Sequence, residues 1–414
     1  MYLKGSKLSM TRRRKPLRPW RILILLLLIG GALYVNQVIV PATPPLFIPT
    51  PTPTLPPEYY SNLARGLAEE GKLAQAIVAY KDAIKISPRE PGLYVELARL
   101  QIYTSQYQDA IQTASDALVL NQKNATALAL RGWALGLDGN YLEAINALKQ
   151  AEELEPNNPV PYAYHAEILA LQQQANQGGL GTLEEAIELS KKAQSLGPNS
   201  LEAHRARGYI LEITQNNTEA ITEFEAAIAI NPNIADLHMA LGRNYRAVEL
   251  YDKAYEEFNK AIPLDPTNPL PKLYLSRTYE TVGEYARAIQ YGEMAIKDDP
   301  SDPYLHGNLG ILFRRNGEIP KAILSLRLAV RGGTTEDGTV VEGLPLDYGR
   351  IAQFYYTYGL ALATGGECAE AIQISATLLQ NVSADDIAVY NAQEIINICA
   401  QQSGLITPTP PGNE

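Results

Sequence analysis

Residues 201–232 read LEAHRARGYILEITQNNTEAITEFEAAIAINP. From Leu201 to Thr214 the apolar positions are Ala203, Tyr209, Ile210 and Leu211, after which Gln215-Asn216-Asn217-Thr218 turns the chain. From Glu219 to Ile230, Ala220, Ile221, Phe224, Ala227 and Ile228 recur at spacings of three and four, which places them on one helical face. Asn231-Pro232 stops the second helix, because proline lacks the N–H that a helix interior needs. The stretch predicts two antiparallel helices, each with an apolar stripe that one hairpin cannot bury alone.

Outward from this stretch the same unit recurs. Ala76, Ala110, Ala144, Ala186, Ala220, Ala254, Ala288, Ala322 and Ala371 form one column, with a spacing of 34 residues broken by one step of 42 and one of 49. A second column is small throughout: Ala64, Ala98, Gly132, Ala166, Gly208, Gly242, Ser276, Gly310 and Gly359. Ala83, Ala117, Ala151, Ala193, Ala227, Ala261, Ala295, Ala329 and Leu378 form a third. Helices that approach within ~8–10 Å leave no room for long side chains where they cross, so small columns mark the crossings. Tyr80, Phe224, Phe258 and Leu326 are expected to fill the gap to the next unit. Stacked hairpins then bury one continuous ribbon of apolar surface.

Period, small columns and closing prolines resemble the tetratricopeptide repeat family over roughly residues 57–378. The resemblance implies an all-α, right-handed α-solenoid of about nine helix-turn-helix units that binds protein segments and is not an enzyme. The position that is Trp in that family holds Tyr60, Tyr94, Leu128, Tyr162, His204, His238, Lys272, His306 and Tyr355 here; Lys272 is expected to mark a locally shifted helix with Leu273 packing instead. The solenoid is assigned to residues 58–380. Residues 381–402 are expected to be a capping helix carrying Ile387, Tyr390, Ile395, Ile396 and Ile398, with a polar outer face, and residues 403–414 a disordered tail.

The amino terminus differs in composition. Residues 1–57 hold eight Lys/Arg and no acid, which leaves the remainder at 27 basic against 45 acidic residues, a balance of −18. So acidic a body argues against nucleic acid as partner. Residues 1–21 are expected to be a basic cytoplasmic tail and residues 22–40 a transmembrane helix. Those 19 residues reach roughly 28 Å at 1.5 Å each, close to the ~30 Å hydrocarbon thickness. Arg12-Arg13-Arg14-Lys15 would keep the tail inside, making a single-pass protein with its repeats extracytoplasmic. A cleaved signal peptide is the competing reading, and both export the repeats. Residues 41–57 contain eight prolines and are expected to be an extended linker.

Chemistry-bearing residues are few. His204, His238 and His306 share one unit position, and His165 lies three positions further along its own; all four are expected to pack rather than bind metal. No cofactor and no small-molecule substrate is implied. Cys368 and Cys399 are expected at neighbouring helix ends, where an exported protein permits a disulfide. The family binds peptides on the concave face, lined by first helices. Inward positions include Arg99, Tyr103, Trp133, Tyr209, Arg243, Arg246, Arg277 and Arg314, with Arg65, Tyr304, Arg315 and Tyr356. Arginines and aromatics anchor interfaces. Two readings stand: a groove for an acidic protein segment, or arginines paired internally with Glu212, Asp236 and Glu280. Two insertions break the period, at Gln172–Thr182 and at Arg331–Pro345, and the second is expected to be a solvated loop.

Overall fold

The computed structural model describes residues 19–39 and 56–403. Residues 1–18, 40–55 and 404–414, which hold most of the expected tail, linker and C-terminal segment, lie outside the described residues. The chain divides into two units, residues 1–55 and residues 56–414. In the first, an α-helix over Pro19–Tyr34 runs into a π-helical turn over Val35–Ile39. The stretch Pro19–Val38 is long and apolar enough to cross a membrane, as a span or as a signal sequence.

The second unit is a right-handed α-solenoid of nine helix pairs and a final helix. Units one to three pair Pro57–Glu69 with Leu73–Ile86, Pro91–Tyr103 with Tyr107–Leu120, and Ala125–Leu137 with Tyr141–Leu154. Units four to six pair Pro159–Gln174 with Thr182–Leu196, Leu201–Ile213 with Asn217–Ile230, and Ala235–Ala247 with Tyr251–Leu264. Units seven to nine pair Leu270–Thr281 with Tyr285–Asp298, Pro303–Arg315 with Ile319–Arg331, and Arg350–Thr364 with Cys368–Asn381. The first insertion lengthens the first helix of unit four to Gln174 and then loops to Thr182.

The small columns let each pair close. A Cβ on Gly208 would meet the Phe224 ring at 2.7 Å, one on Gly242 the Phe258 ring at 2.5 Å, and one on Gly310 Leu326 at 2.5 Å. Phe224, Phe258 and Leu326 therefore press on the small residue of their own unit, and Phe258 also reaches the next unit, where it stacks on Tyr274 with ring centroids 5.3 Å apart. In unit nine the partner changes, since a Cβ on Gly359 would meet Ile395 of the final helix at 2.4 Å.

Tyr and His replace Trp in the first helix for a reason the contacts reveal. The Tyr94 hydroxyl donates to the Pro88 carbonyl at 3.0 Å and Tyr162 to Pro156 at 3.2 Å; His238 Nε2 bonds the Pro232 carbonyl at 2.8 Å and His306 Nε2 that of Pro300 at 2.9 Å. In each case a polar tip six residues after the unit-closing proline ties down the connection that proline makes. The first helix of unit seven starts one residue later than its neighbours', at Leu270, and Leu273 packs as expected, but Lys272 is not displaced from the core: it is buried beside Leu273 and paired with Asp298.

Residues Arg331–Pro345 are not a loop throughout, as expected from sequence. Gly332–Thr334 and Val340–Glu342 pair as an antiparallel hairpin, with Val341 buried. The crossing at its base demands glycine twice: Gly332 has φ +71°, and a Cβ on Gly343 would meet the Gly332 amide nitrogen at 2.6 Å. Leu344 N then donates to Ala329 O at 2.9 Å and Tyr355 to Leu344 O at 2.7 Å, which returns the chain to Arg350.

The final helix, Asp386–Gln402, buries Ala388, Ala392, Ile395 and Cys399 against unit nine. Its outer face is less polar than expected, with Ile387 and Tyr390 exposed. Cys399 is bonded to Cys368, with their Cα atoms 5.5 Å apart.

Candidate groove and its two halves

The inward face of the first helices falls into two electrostatically different halves. The first half is filled by its own side chains. Trp133 stacks on Tyr164 with ring centroids 4.2 Å apart and meets Tyr103 edge-on at 6.1 Å. The Arg205 guanidinium lies 4.9 Å from the Trp133 centroid and 5.1 Å from that of Tyr209. Arg205 donates through Nε and Nη2 to both oxygens of Glu167, each at 2.9 Å, and through Nη2 to Asp236. Tyr209 donates to the same Asp236 oxygen at 2.6 Å, and Arg99 reaches Glu202 at 3.3 Å.

Burial alone would push the Arg205 guanidinium down, but Glu167 and Asp236 hold it well above its ordinary value. Trp133 is 1% exposed, Tyr103 8% and Arg205 2%. Trp133 and Tyr103 are thus mostly covered by neighbouring side chains, and the little surface they keep faces a cleft. That cleft, of about 540 Å³, is lined by Tyr103, Trp133 and Arg205 together with Tyr107, Asp236 and Asp265. It is the remnant of the groove rather than a channel for an extended chain.

Closure comes from contacts between units four or five apart in the array. Asn233 Nδ2 donates to the backbone oxygens of Ala68 and Glu69 at 3.2 and 2.8 Å, and Ser105 Oγ to Asp265 Oδ2 at 3.2 Å. The coil is tight enough for units one and two to touch units five to seven.

The second half carries guanidinium groups without matching acids. Arg243 is paired, donating through Nε and Nη2 to Glu212 at 2.7 and 2.9 Å, and Arg315 reaches Glu280 at 3.0 Å. Arg246, Arg277, Arg314 and Arg350 have no ion-pair partner among the described residues; the nearby carboxylates Glu212 and Glu280 are taken. Arg277 Nη2 donates at 3.2 Å to Asn308 Oδ1, which also accepts from Arg350 Nη2. Asn308 is itself fixed by donating to Tyr304 O at 2.6 Å. The Nε atoms of Arg277 and Arg350 are buried without a hydrogen-bond partner.

Crowding shows in the ionisation of these groups. Burial first, then the Arg277 charge, holds Arg350 down to about 10. Burial, then Arg277 and Arg243, depresses Arg246, and burial with Arg315 depresses Arg314. All remain charged at neutral pH. The other anionic neighbour, Asp385, lies beside Tyr356 and caps the final helix through the amides of Ile387 and Ala388.

Among the inward residues expected from sequence, Arg99, Tyr103, Trp133 and Tyr209 belong to the filled half, Arg243 and Arg315 are paired with acids, and Arg246, Arg277 and Arg314 have no acidic partner among the described residues. Arg205, Asn308 and Arg350 were not among them. Arg205 sits within the stretch quoted at the outset, and its signal was a cation among the apolar positions of a first helix. Arg350 follows an insertion, where the 34-residue register gives no guidance. The histidines pair instead with acids of second helices, His165 with Glu152, His204 with Glu223 and His238 with Glu257. Among the described residues there is no group of three or more His, Cys, Asp or Glu arranged to hold a metal ion.

Comparison with known proteins follows the same pattern. Family models described as tetratricopeptide repeat match residues 67–134, 125–158, 168–233, 214–269, 233–303 and 273–337. The small glutamine-rich tetratricopeptide repeat-containing protein 2 of Mycosarcoma maydis is 33% identical over 85 residues, 20% of this chain and 24% of that protein. A DnaJ homolog subfamily C member 7 homolog of Schizosaccharomyces pombe is 25% identical over 179 residues, 41% of this chain and 37% of its own. The chain thus spans well under half the length of these relatives. Among solved structures, a tetratricopeptide repeat protein from Parabacteroides merdae is 17% identical, with 67% of this chain and 99% of that chain covered and a TM-score of 0.44. The Cut9–Hcn1 hetero-tetramer of APC/C is 17% identical, with 59% and 47% covered and a TM-score of 0.46.

Proposed function

This chain belongs to the tetratricopeptide repeat family, and from that premise we propose that it is a membrane-tethered, non-catalytic scaffold whose open groove in units six to nine captures a segment of another protein. One observation carries the reading: Arg246, Arg277 and Arg314 stand inward, partly buried and without acidic partners among the described residues, in a chain whose residues 58–414 are strongly acidic. Free groups kept desolvated at a concave face cost stability that the fold recovers only when something binds. Residues 22–40 supply the tether in this proposal, with the repeats on the extracytoplasmic side. The bonded Cys368–Cys399 pair supports that side, because such bonds persist in oxidising compartments.

The test is photo-crosslinking in native membranes from residue 304, an exposed inward position one turn before Asn308, comparing the wild type with the triple variant R246E/R277E/R314E. The expected outcome is a discrete crosslinked protein that disappears in the variant while the helical circular dichroism signal is retained. A crosslink pattern identical in both would overturn the groove.

A further inference from the structure

We infer that the filled half of the solenoid holds a site for a small organic amine, in the cleft where units two and three meet units five to seven, with the Asp265 carboxylate as anchor for the ammonium group. Five Asp, Glu, Lys or Arg residues are buried among the described residues: Glu167, Arg205, Glu257, Asp265 and Lys272. Four of them have an ion-pair partner. Glu167 and Arg205 have each other, Glu257 has Lys260 and Lys272 has Asp298. Asp265 has none among the described residues. It accepts only from neutral groups, Ser105 Oγ and Asn268 Nδ2 at 3.2 Å each and Thr267 Oγ1 at 3.4 Å. A carboxylate taken out of water without a cation carries a desolvation cost that neutral donors offset only in part.

The repeats themselves show that this burial is particular to one unit. The residue before the closing proline is Ser87, Glu155, Gly197, Asn231, Asp265 or Asp299, and of these Asp265 alone is buried, because the coil brings the turn of unit two over it. Asp236 lines the same cleft, and its side chain keeps 37% of its surface although Oδ2 already accepts from Arg205 and Tyr209. Arg205 is the one cation lining the cleft, and Glu167 and Asp236 already share it. The charge deficit calls for a cation, and the rest of the wall suits an organic one. Ile102, Leu137 and Met239 supply apolar surface, and Tyr107 adds an aromatic ring of the kind that attracts ammonium groups. No third metal-ligating side chain joins the two acids among the described residues. Trp133, in the same wall, keeps its indole N–H buried without an acceptor. The volume, about 540 Å³, is that of a small-molecule site. A free amine is favoured over a lysine of another protein because the coil closes around the cleft, through Asn233 on Ala68 and Glu69 and through Ser105 on Asp265. The site shares no residue with the arginine groove and stands independently of it.

The test titrates cadaverine into the full-length chain in detergent micelles, with Trp20→Phe leaving Trp133 as the sole tryptophan and its fluorescence as the signal. The expected result is a saturable change with cadaverine and none with the corresponding pentanediol. Affinity should fall about tenfold or more in Asp265→Asn and about threefold in Tyr107→Leu. Asp265→Asn keeps an acceptor for Ser105 while removing the charge, so without cadaverine it should melt at or above the wild type. Cadaverine should then raise the melting temperature of the wild type and not that of Asp265→Asn. An Asp265 that only holds its turn would give a lower melting temperature in Asp265→Asn with affinity unchanged. Tyr107→Leu reports even if Asp265→Asn misfolds. No saturable response in the wild type, an equal response to the diol, or unchanged affinity in either variant would overturn the site. So would displacement of cadaverine by equimolar magnesium chloride, which would reassign the carboxylates to a metal ion. Displacement by trilysine at lower concentration would also overturn it, by reassigning the cleft to a lysine of a protein partner.

Discussion

At the scale of single residues, the turn between the helices of each unit is the most repeated feature and the least obvious from composition. Each turn holds a residue of positive φ just after the first helix: Gly71, Gly139, Gly283, Gly317 and Gly366 in five units, but Ser105, Asn176, Gln215 and Glu249 in the other four, unit four adding Gly181 before its second helix. A side chain in that region crowds the backbone, and glycine does not. Glu249, at φ 62°, is exposed and closes a turn in which its own amide bonds Arg246 O. Glu249→Gly should therefore stabilise the protein by about 0.5–1 kcal/mol, read as a higher midpoint in urea with an unchanged slope. The residues taken for groove anchors teach the complementary lesson. Trp133 and Tyr103 lie at inward positions, as the helical period indicates. Their burial depends on Arg205 and Tyr164 closing over them, which the period of a single helix does not encode.

At the scale of elements, regularity made the solenoid readable and irregularity hid the rest. The columns Gly208, Gly242 and Gly310 identify helix crossings because a Cβ there would overlap Phe224, Phe258 or Leu326. The hairpin over Gly332–Glu342 was not foreseen because each strand is only three residues long, too short to show an alternating pattern. The final helix was foreseen as a cap, but which face it turns inward is set by Ile395 meeting Gly359. Its bond to the second helix of unit nine closes a loop with a sequence separation of 31 residues. For a loop of that length the chain-entropy account gives about 3.7 kcal/mol. The Cys368→Ser/Cys399→Ser double variant should lose about that much, with hydrogen exchange accelerated first in Asp386–Gln402. An equal loss of protection across units one to five would contradict a local clamp.

At the scale of the whole solenoid, one continuous core joins Ala64 to Leu275, and a second runs from Ala288 to Cys399. The first corresponds to the part that coils tightly enough for Asn233 to reach Ala68 and for Ser105 to reach Asp265, and there the groove is spent on self-contact. Of the unmatched arginines, Arg246 and Arg277 stand where the first core gives way to the second, and Arg314 and Arg350 within the span of the second. Removing both closing contacts with Asn233→Ala/Asp265→Ala should cost about 2 kcal/mol and increase the radius of gyration in solution scattering, with helix content unchanged. A radius identical to the wild type would show that packing alone sets the coil. The sequence by itself determined that the chain forms helix pairs, how many there are and where they cross, because those depend on contacts within 34 residues that recur nine times. Only the tertiary structure decided which inward arginines are free. That depends on Glu167 reaching Arg205 from 38 residues away, on Glu202 reaching Arg99 from 103, and on an insertion outside the period that places Arg350 beside Asn308. A repeat fixes its neighbours through local spacing; the pitch of the superhelix, summed over many units, fixes which distant side chains meet.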